Sequence, residues 1–417
     1  MSAGNPDPHM PQGGAPAGAE VPGGQAGADL SVGASAPADA PAYSALPGVP
    51  GPLVQDPAEM HPAPESIARR RLRKFRRLKR GYYSFVIIAA AYVLSFFLPL
   101  IANGTAIAVK YQGDYYVPML TYYPASTFGQ QAFGEPDYRA LDREFEAQGA
   151  GNWVLMPPVP YGSNESLFDQ PGSAPHPPSR AHLFGTDDRA RDVLVRLAYG
   201  FNISLTFAIL VTAFSYAVGI LVGGLIGYFG GKLDLLGQRL IEIWSALPFL
   251  YTIIIISSIV VPIYVPGRLQ VLQPSFWMLV IILAAFEWMA MTYYIRGEFY
   301  REKAKDYVGA AIVVGVSEPA IMFRHILPNA LTPVVSFAPF AIVANISALV
   351  ALDFLGFGLP APTPSWGELI GQGMDNLTKW WLVFFPLGAL FVTLLLVVFI
   401  GEAVREAFDP KEHSRLR

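Results

Sequence analysis

The residues of this chain that could do acid–base, metal or phosphate chemistry are few and dispersed. Six histidines are spread over the sequence as His9, His61, His176, His182, His325 and His413. None has the HExxH or paired-ligand spacing that brings imidazoles to one metal, so no metal site is expected. Cysteine is absent, which removes thiol nucleophiles, thiolate ligands and disulfides together. Gly231 and Lys232 suggest a phosphate loop. The glycine required five residues before Gly231 is Ile226, however, and the hydroxyl required after Lys232 is Leu233, so both the backbone cradle and the magnesium ligand fail. The chain is therefore expected to bind no cofactor, to hydrolyse no nucleotide and to catalyse no reaction. One ionisable residue stands out by position, because Glu287 lies within the apolar stretch LAAFEWMAM. A charge at that depth costs at least a few kcal/mol unless water or a partner meets it. Two readings stay open: Glu287 lines a translocation path or gate, or it snorkels or pairs near a membrane boundary.

The elements that would position such residues are membrane spans. Hydrophobic residues make up 53% of the chain and charged residues 15%, an apolar balance for a net charge of only −3. Six segments approach the roughly 20 apolar residues needed to cross a hydrocarbon core. They run Tyr82 to Ile101, Ile203 to Tyr228, Glu242 to Val261, Ser275 to Ile295, Leu331 to Leu352 and Trp381 to Ile400. The basic run RRRLRKFRRLKR from Arg69 to Arg80 adjoins the first of them. In a soluble protein it would suggest nucleic acid; beside a span it retains the flank on the cytoplasmic side and meets anionic headgroups. Lys232, Arg239, the 296–324 loop and the C-terminal tail add positive charge to that same side, against chiefly Arg268 and Lys379 outside. Both termini are thus expected in the cytoplasm.

The remaining organisation follows from composition. Residues 1–65 are rich in Pro, Gly, Ala and Ser and are expected to be a disordered cytoplasmic arm. Residues 66–102 hold the basic segment and first span, 103–200 an extracytoplasmic and partly irregular subdomain, 201–405 five further spans, and 406–417 a cytoplasmic tail. Before span two, Gly185, Thr186, Asp187, Arg191 and Asp192 form a polar motif in which Thr186 and Asp187 are expected to cap a surface helix carrying Arg189, Arg191 and Arg196. Within span two, Gly219, Gly223 and Gly227 recur at four-residue intervals, the spacing that lets helix backbones approach closely in lipid; a dimer seam or an intrachain crossing is expected ahead of a substrate-lining role.

The polar interruption from Arg296 to Asn329 is the most regular feature. Tyr300, Ala304, Tyr307, Ala311 and Val314 fall on one helical face. Gly315 offers a C-cap and Ser317 a new N-cap, with Pro319 in the first turn that follows. Two short helices with a tight turn should project from the bilayer as a docking element.

These residues carry a resemblance. DYVGAAIVVGVSEPAIMFRHILPNAL is similar to the EAA loop of permease subunits of binding-protein-dependent ABC importers, in the oligopeptide and dipeptide branch. GTDDRARDVLVRLAYG and LDFLGFGLPAPTPSWGELI resemble that branch too, and YFGGKLDLLGQRLIEIWSALPFLY with the long first loop resembles microcin C and oligopeptide permeases. The resemblance implies an all-α polytopic membrane protein with six transmembrane helices, the type I importer permease fold, and a cytoplasmic coupling helix. It implies partners: a second homologous permease, two ABC ATPase domains that use ATP and magnesium, an extracytoplasmic solute-binding protein, and the lipid of a bacterial inner membrane. Asp306, Ala310, Ala311, Gly315, Ser317, Leu327 and Pro328 would be the coupling positions. Gly309 replaces the glutamate that names the loop, and His325 replaces an isoleucine, so the contact is expected to rest on turn and apolar stripe rather than on an ion pair. The solute expected is an oligopeptide or peptide-like compound. The same architecture for nickel or a sugar, or an autonomous channel or ion-coupled carrier, are the alternatives; a carrier would want inverted repeats or several buried charges.

Overall fold

The computed structural model describes residues 66–408 apart from 150, 169, 259, 260, 266, 267, 273 and 274. The expected disordered arm and residues 409–417 of the tail lie outside the described residues.

The basic run forms helix α1, Ile67–Arg77, whose first turn is capped by the Ser66 hydroxyl accepting from Arg69 N at 3.3 Å. Leu78 breaks the chain, and α2 runs Lys79–Ser95. The first expected span is interrupted here: α2 has 17 residues, and a separate four-residue helix α3, Leu98–Ile101, follows. Pro99 accounts for the stop, because its ring would clash with the Ser95 carbonyl four residues earlier in a continuous helix.

The following loop is not all irregular, and this corrects the purely α expectation. Strands β1, Ala108–Tyr111, and β2, Asp114–Tyr116, pair antiparallel around the left-handed Gln112 and Gly113. Helix α4, Tyr138–Gln148, and strand β3, Trp153–Leu155, complete a three-stranded sheet of order β2-β1-β3 with one helix upon it. Ala106, Val109, Phe128, Tyr138, Leu141 and Phe145 make its core, and Tyr111 stacks on Phe145 with centroids 5.5 Å apart. The subdomain thus has an apolar core of its own.

Helix α5 is continuous over the 37 residues Val193–Phe229, and its N-cap is Asp192, whose carboxylate accepts from Val195 N at 2.9 Å. Residues 182–192 form no separate surface helix, so Thr186 and Asp187 cap no helix; Arg189 and Arg191 lie in the turn before α5 while Arg196 is on its first coil. Next come α6, Gly231–Ser245, and α7, Phe249–Ser258, whose described lengths are bent by 72° at the break between them. The expected span from Glu242 straddles this break. Pro248 supplies the reason, since it disfavours helical geometry at Leu247. Strands β4, Val261–Val265, and β5, Arg268–Leu272, form a hairpin leading to α8, Phe276–Lys303.

Helices α9, Asp306–Val313, α10, Glu318–Ala320, and α11, Leu327–Ala330, belong to the 296–329 loop. Helix α12, Thr332–Phe354, the short α13, Trp366–Asp375, and α14, Trp381–Phe408, complete the chain. Among the described residues four helices, α5, α8, α12 and α14, are long and apolar enough to cross a membrane, and the bent α6–α7 pair makes up to five, against six expected.

The glycine ladder packs α5 on α8 within the chain. A Cβ at Gly219 would lie 2.8 Å from the Trp288 carbonyl, one at Gly223 2.6 Å from the Thr292 carbonyl, and one at Gly227 2.9 Å from the Arg296 carbonyl. Of the two arrangements that such a ladder permits, the intrachain crossing is the one formed. Helices α12 and α14 pack on each other and against α2 and α5. Trp366 and Leu369 of α13 join Leu197, Leu205, Ile346 and Leu382 in the core at the end where the loop subdomain lies.

Candidate functional site

The 296–329 loop is held to the opposite end of the same helices. The expected single stripe from Tyr300 to Val314 is broken: α8 ends at Lys303, and Lys305 is extended before α9 begins. The break turns Val308 and Ala311 inward, where they pack with Tyr228, Phe299, Ile321, Met322 and Ile326. It turns Val313 and Val314 outward, at 88% and 82% exposure, which leaves an apolar tip in solvent. Gly315 follows with φ +83°, a left-handed geometry that favours glycine, and it reverses the chain as expected. Asp306 is exposed in the first turn of α9, where its charge favours the helix dipole, and Ala310 is exposed beside it. Ser317 is the N-cap by backbone position, but its hydroxyl makes no capping bond. Pro319 lies in the first turn of α10, as expected, but the rod that follows passes through a π-helical turn, Ile321–Ile326, before α11. Leu327 packs against the loop core, while Pro328 is exposed in the first turn of α11.

Several residues that make the loop rigid are absent from the sequence reading. Glu302 is buried and accepts from Lys305 Nζ at 2.7 Å and from the Tyr307 hydroxyl at 2.9 Å. Burial pushes the Tyr307 phenol up, so it stays protonated and able to donate. Asn329 donates to the Tyr307 hydroxyl at 3.3 Å and to the His325 carbonyl at 3.1 Å, tying the returning arm to the outgoing one. At the root, Arg296 meets Asp234 through two bonds of 2.5 and 2.7 Å, and Tyr300 donates to the same carboxylate at 2.8 Å. Lys303 donates to the Tyr228 carbonyl at 2.5 Å. A lone acid inside a basic run, Glu302 in REKAK, is the sequence signal that could have exposed this clamp.

Glu287 lies at mid-length on α8, in the wall of a cavity of about 570 Å³. Tyr216, Tyr294, Phe337 and Phe340 share that wall. Asn345 of α12 lies beside it, and its amide donates to the Thr212 hydroxyl at 3.1 Å. The carboxyl is therefore presented to a void between helices, with a polar neighbour on α12.

At the other end, the motif Gly185, Thr186, Asp187, Arg191 and Asp192 is gathered into a buried lock. Gly185 has φ +75°, and a Cβ there would meet the His176 carbonyl at 2.7 Å and the Trp381 ring at 2.9 Å. The Thr186 hydroxyl accepts from His176 N at 2.8 Å, and its carbonyl accepts from Trp381 Nε1 at 3.1 Å. Asp187 accepts from Arg191 N at 2.8 Å and Arg191 Nε at 2.7 Å. Asp192, besides capping α5, meets His182 Nδ1 at 2.8 Å. Glu368 of α13 completes the set, accepting from Arg191 at 3.0 Å and from the fully buried Arg196 at 2.5 Å. Burial pulls the Arg191 guanidinium down, but the bonds to Asp187 and Glu368 outweigh it and the net direction is up. Burial also pushes Asp188 up, with Asp187 adding in the same sense. Within it Arg191 and Arg196 face Asp187 and Glu368, two cations paired with two carboxylates, the condition under which buried charge is tolerated. Arg196 and Glu368 are 172 residues apart, so their pairing had no local signal. Among the described residues no group of three or more His, Cys, Asp or Glu side chains could hold a metal ion.

The family described as the binding-protein-dependent transport system inner membrane component matches residues 219–413. The inner membrane ABC transporter permease protein YejE of Escherichia coli K12 is 42% identical over 81% of this chain and 96% of its own length. The peptidoglycan transport system permease protein YejE of Agrobacterium fabrum is 37% identical over 83% of this chain and 94% of its own. The oligopeptide transport system permease protein OppC of Escherichia coli K12 is 36% identical over 62% of this chain and 83% of its own. Identity of that order over nearly the whole of the two YejE relatives, together with the apolar helices that fit a multi-pass inner membrane protein, settles the family: the chain belongs to the binding-protein-dependent inner membrane permeases of ABC transporters.

Proposed function

We propose that this chain is one permease of an ATP-driven importer that moves oligopeptides or peptide-like compounds across the inner membrane by alternating access. The observation that carries the reading is the relation to the oligopeptide and peptidoglycan permeases over most of their length. The partners are a second homologous permease, two ATPase domains that use ATP and magnesium, and an extracytoplasmic binding protein. Type I importer topology with both termini in the cytoplasm fits the basic α1 and the 296–329 loop, which lie at one end of the helices.

The geometry of the loop supports the coupling role. The apolar tip Ile312–Val314 stands clear of the chain, so a cleft in an ATPase subunit could enclose it. The clamps at Glu302 and Asp234 make the arms stiff, so a displacement of the tip reaches α8 rather than bending the loop. Transport is then rigid-body motion of packed helices, and the permease supplies no chemistry. Glu287 would line the path, and the lock around Glu368 would hold the extracytoplasmic subdomain on the helices.

The test is uptake of short peptides and of a peptide-nucleotide antibiotic by a strain lacking this permease. Restoration by the wild-type gene, with no restoration by a variant lacking Val316 to Glu318, is the expected result. Normal peptide uptake in the deletion strain, with a different solute restored by the gene, would overturn the substrate class.

A further inference from the structure

Helix α1 does more than flank a span. It lies against α2, with Phe75 edge-on to Tyr82 and Phe85 at 6.3 and 6.0 Å, and against the end of α14, with the Arg71 guanidinium 4.4 Å from the centre of the Phe408 ring. Gly81 lets α2 settle directly on Ala403, closing the floor. Between α1, α2, α12 and α14 there remains an open groove of about 660 Å³, within the range of about 300–1,000 Å³ of small-molecule sites.

The groove is graded along its length. Phe85 and Ile400 line it at the hydrocarbon level, one turn inside the tyrosine pair Tyr82 and Tyr83 and at the end of the last apolar segment. Arg71, Asn329 and Thr332 line it where the helices leave that level. Leu72 and Phe85 are left 51% and 48% exposed, apolar surface for an acyl chain to cover. Above them, 7 of the 11 residues of α1 are Arg or Lys and none is acidic. The acids on the facing helix are Glu402 and Glu406, both exposed. Apolar depth, a polar mouth and a dense cationic rim match one chemistry.

We propose that this groove holds an anionic phospholipid of the leaflet on the coupling-loop side, its acyl chain along Phe85 and Ile400 and its headgroup phosphate at Arg71. The lipid would also touch the transport machinery. Asn329 and Thr332 in the groove wall belong to the returning arm of the loop, and Asn329 is bonded to Tyr307, which donates to Glu302. A filled groove buttresses that arm, so coupling of ATP hydrolysis to transport depends on anionic lipid.

The test uses the whole transporter purified with its partner subunits. Native mass spectrometry counts the phosphatidylglycerol retained in competition with phosphatidylcholine, and stimulated ATPase activity is followed in bilayers of rising phosphatidylglycerol content. The wild type should retain phosphatidylglycerol selectively and gain coupled activity with it. Arg71→Gln should weaken retention about fivefold, the effect of one cation at the membrane surface. Val404 of α14 also lines the groove, and Val404→Trp should block it without altering charge and remove the same bound lipid. Equal retention of the two lipids, or wild-type retention in both variants, would overturn the proposal. A rise in retained phosphatidylglycerol on removing residues 1–64 would also overturn it, since it would make the N-terminal segment the occupant.

Discussion

Glu287 is the residue whose role depends most on its surroundings. The sequence left two readings level, a pathway position or a boundary charge; its place in a cavity wall beside Tyr216 and Asn345 favours the first. Glu287→Gln keeps the shape while removing the charge. Uptake should fall about tenfold with assembly unchanged, because the variant keeps the packing and removes the one charge presented to the cavity, and an ionisable group at that depth is retained for the path it lines. Unchanged uptake by a fully assembled variant would sink the pathway role. Gly223 makes a second residue-scale case. A Cβ there would fall 2.6 Å from the Thr292 carbonyl, which is backbone and cannot swing aside. Gly223→Val should destabilise the α5–α8 crossing by about 1–3 kcal/mol, seen as a lower unfolding temperature in detergent. The spacing of the glycines was legible in the sequence, but which helix they met was not, because the ladder is the same whether its partner is in the chain or beside it.

At the scale of elements, the 296–329 loop shows what one-dimensional pattern can and cannot give. Its turn was legible because Gly315 and Pro319 act through backbone geometry alone. The break at Lys305 was not, because an unbroken helical stripe through Ala304 reads equally well until Glu302 finds Lys305 and Tyr307. The same limit hid the lock, whose members Arg196 and Glu368 meet only through the tertiary fold. The loop also yields opposed predictions. Gly315→Pro cannot adopt φ +83° and should abolish uptake while the chain still inserts in the membrane. Gly309 lies mid-helix with nothing within 4 Å of a built Cβ. Gly309→Ala should therefore stabilise α9 by about 1 kcal/mol and leave uptake intact, measured by thermal unfolding and transport together. Loss of uptake in Gly309→Ala would mean that the glycine itself contacts the partner, and the account by turn and apolar tip would have to change.

The whole molecule has two unlike ends, and its function depends on which end faces which compartment. The helices separate a polar subdomain with its own core from a rigid loop with an exposed apolar tip, and α1 lies with the loop. By the positive-inside bias, the positive charge of α1 and of the 296–324 loop would place that end in the cytoplasm. The span count was the weaker inference, because hydropathy sums over Pro99 and Pro248 where the backbone does not continue, so α2 and the α6–α7 pair fall short of straight spans. Orientation is independent of that count and can be tested alone. The chain has no cysteine, so any cysteine introduced is the sole thiol. Phe133 in the subdomain is fully exposed, and Val313 at the loop tip is 88% exposed. In intact spheroplasts a membrane-impermeant maleimide should label Phe133→Cys and spare Val313→Cys, and inside-out vesicles should reverse the pattern. Labelling of Val313→Cys from outside would place the loop where no ATPase works, and would overturn the coupling role along with the orientation.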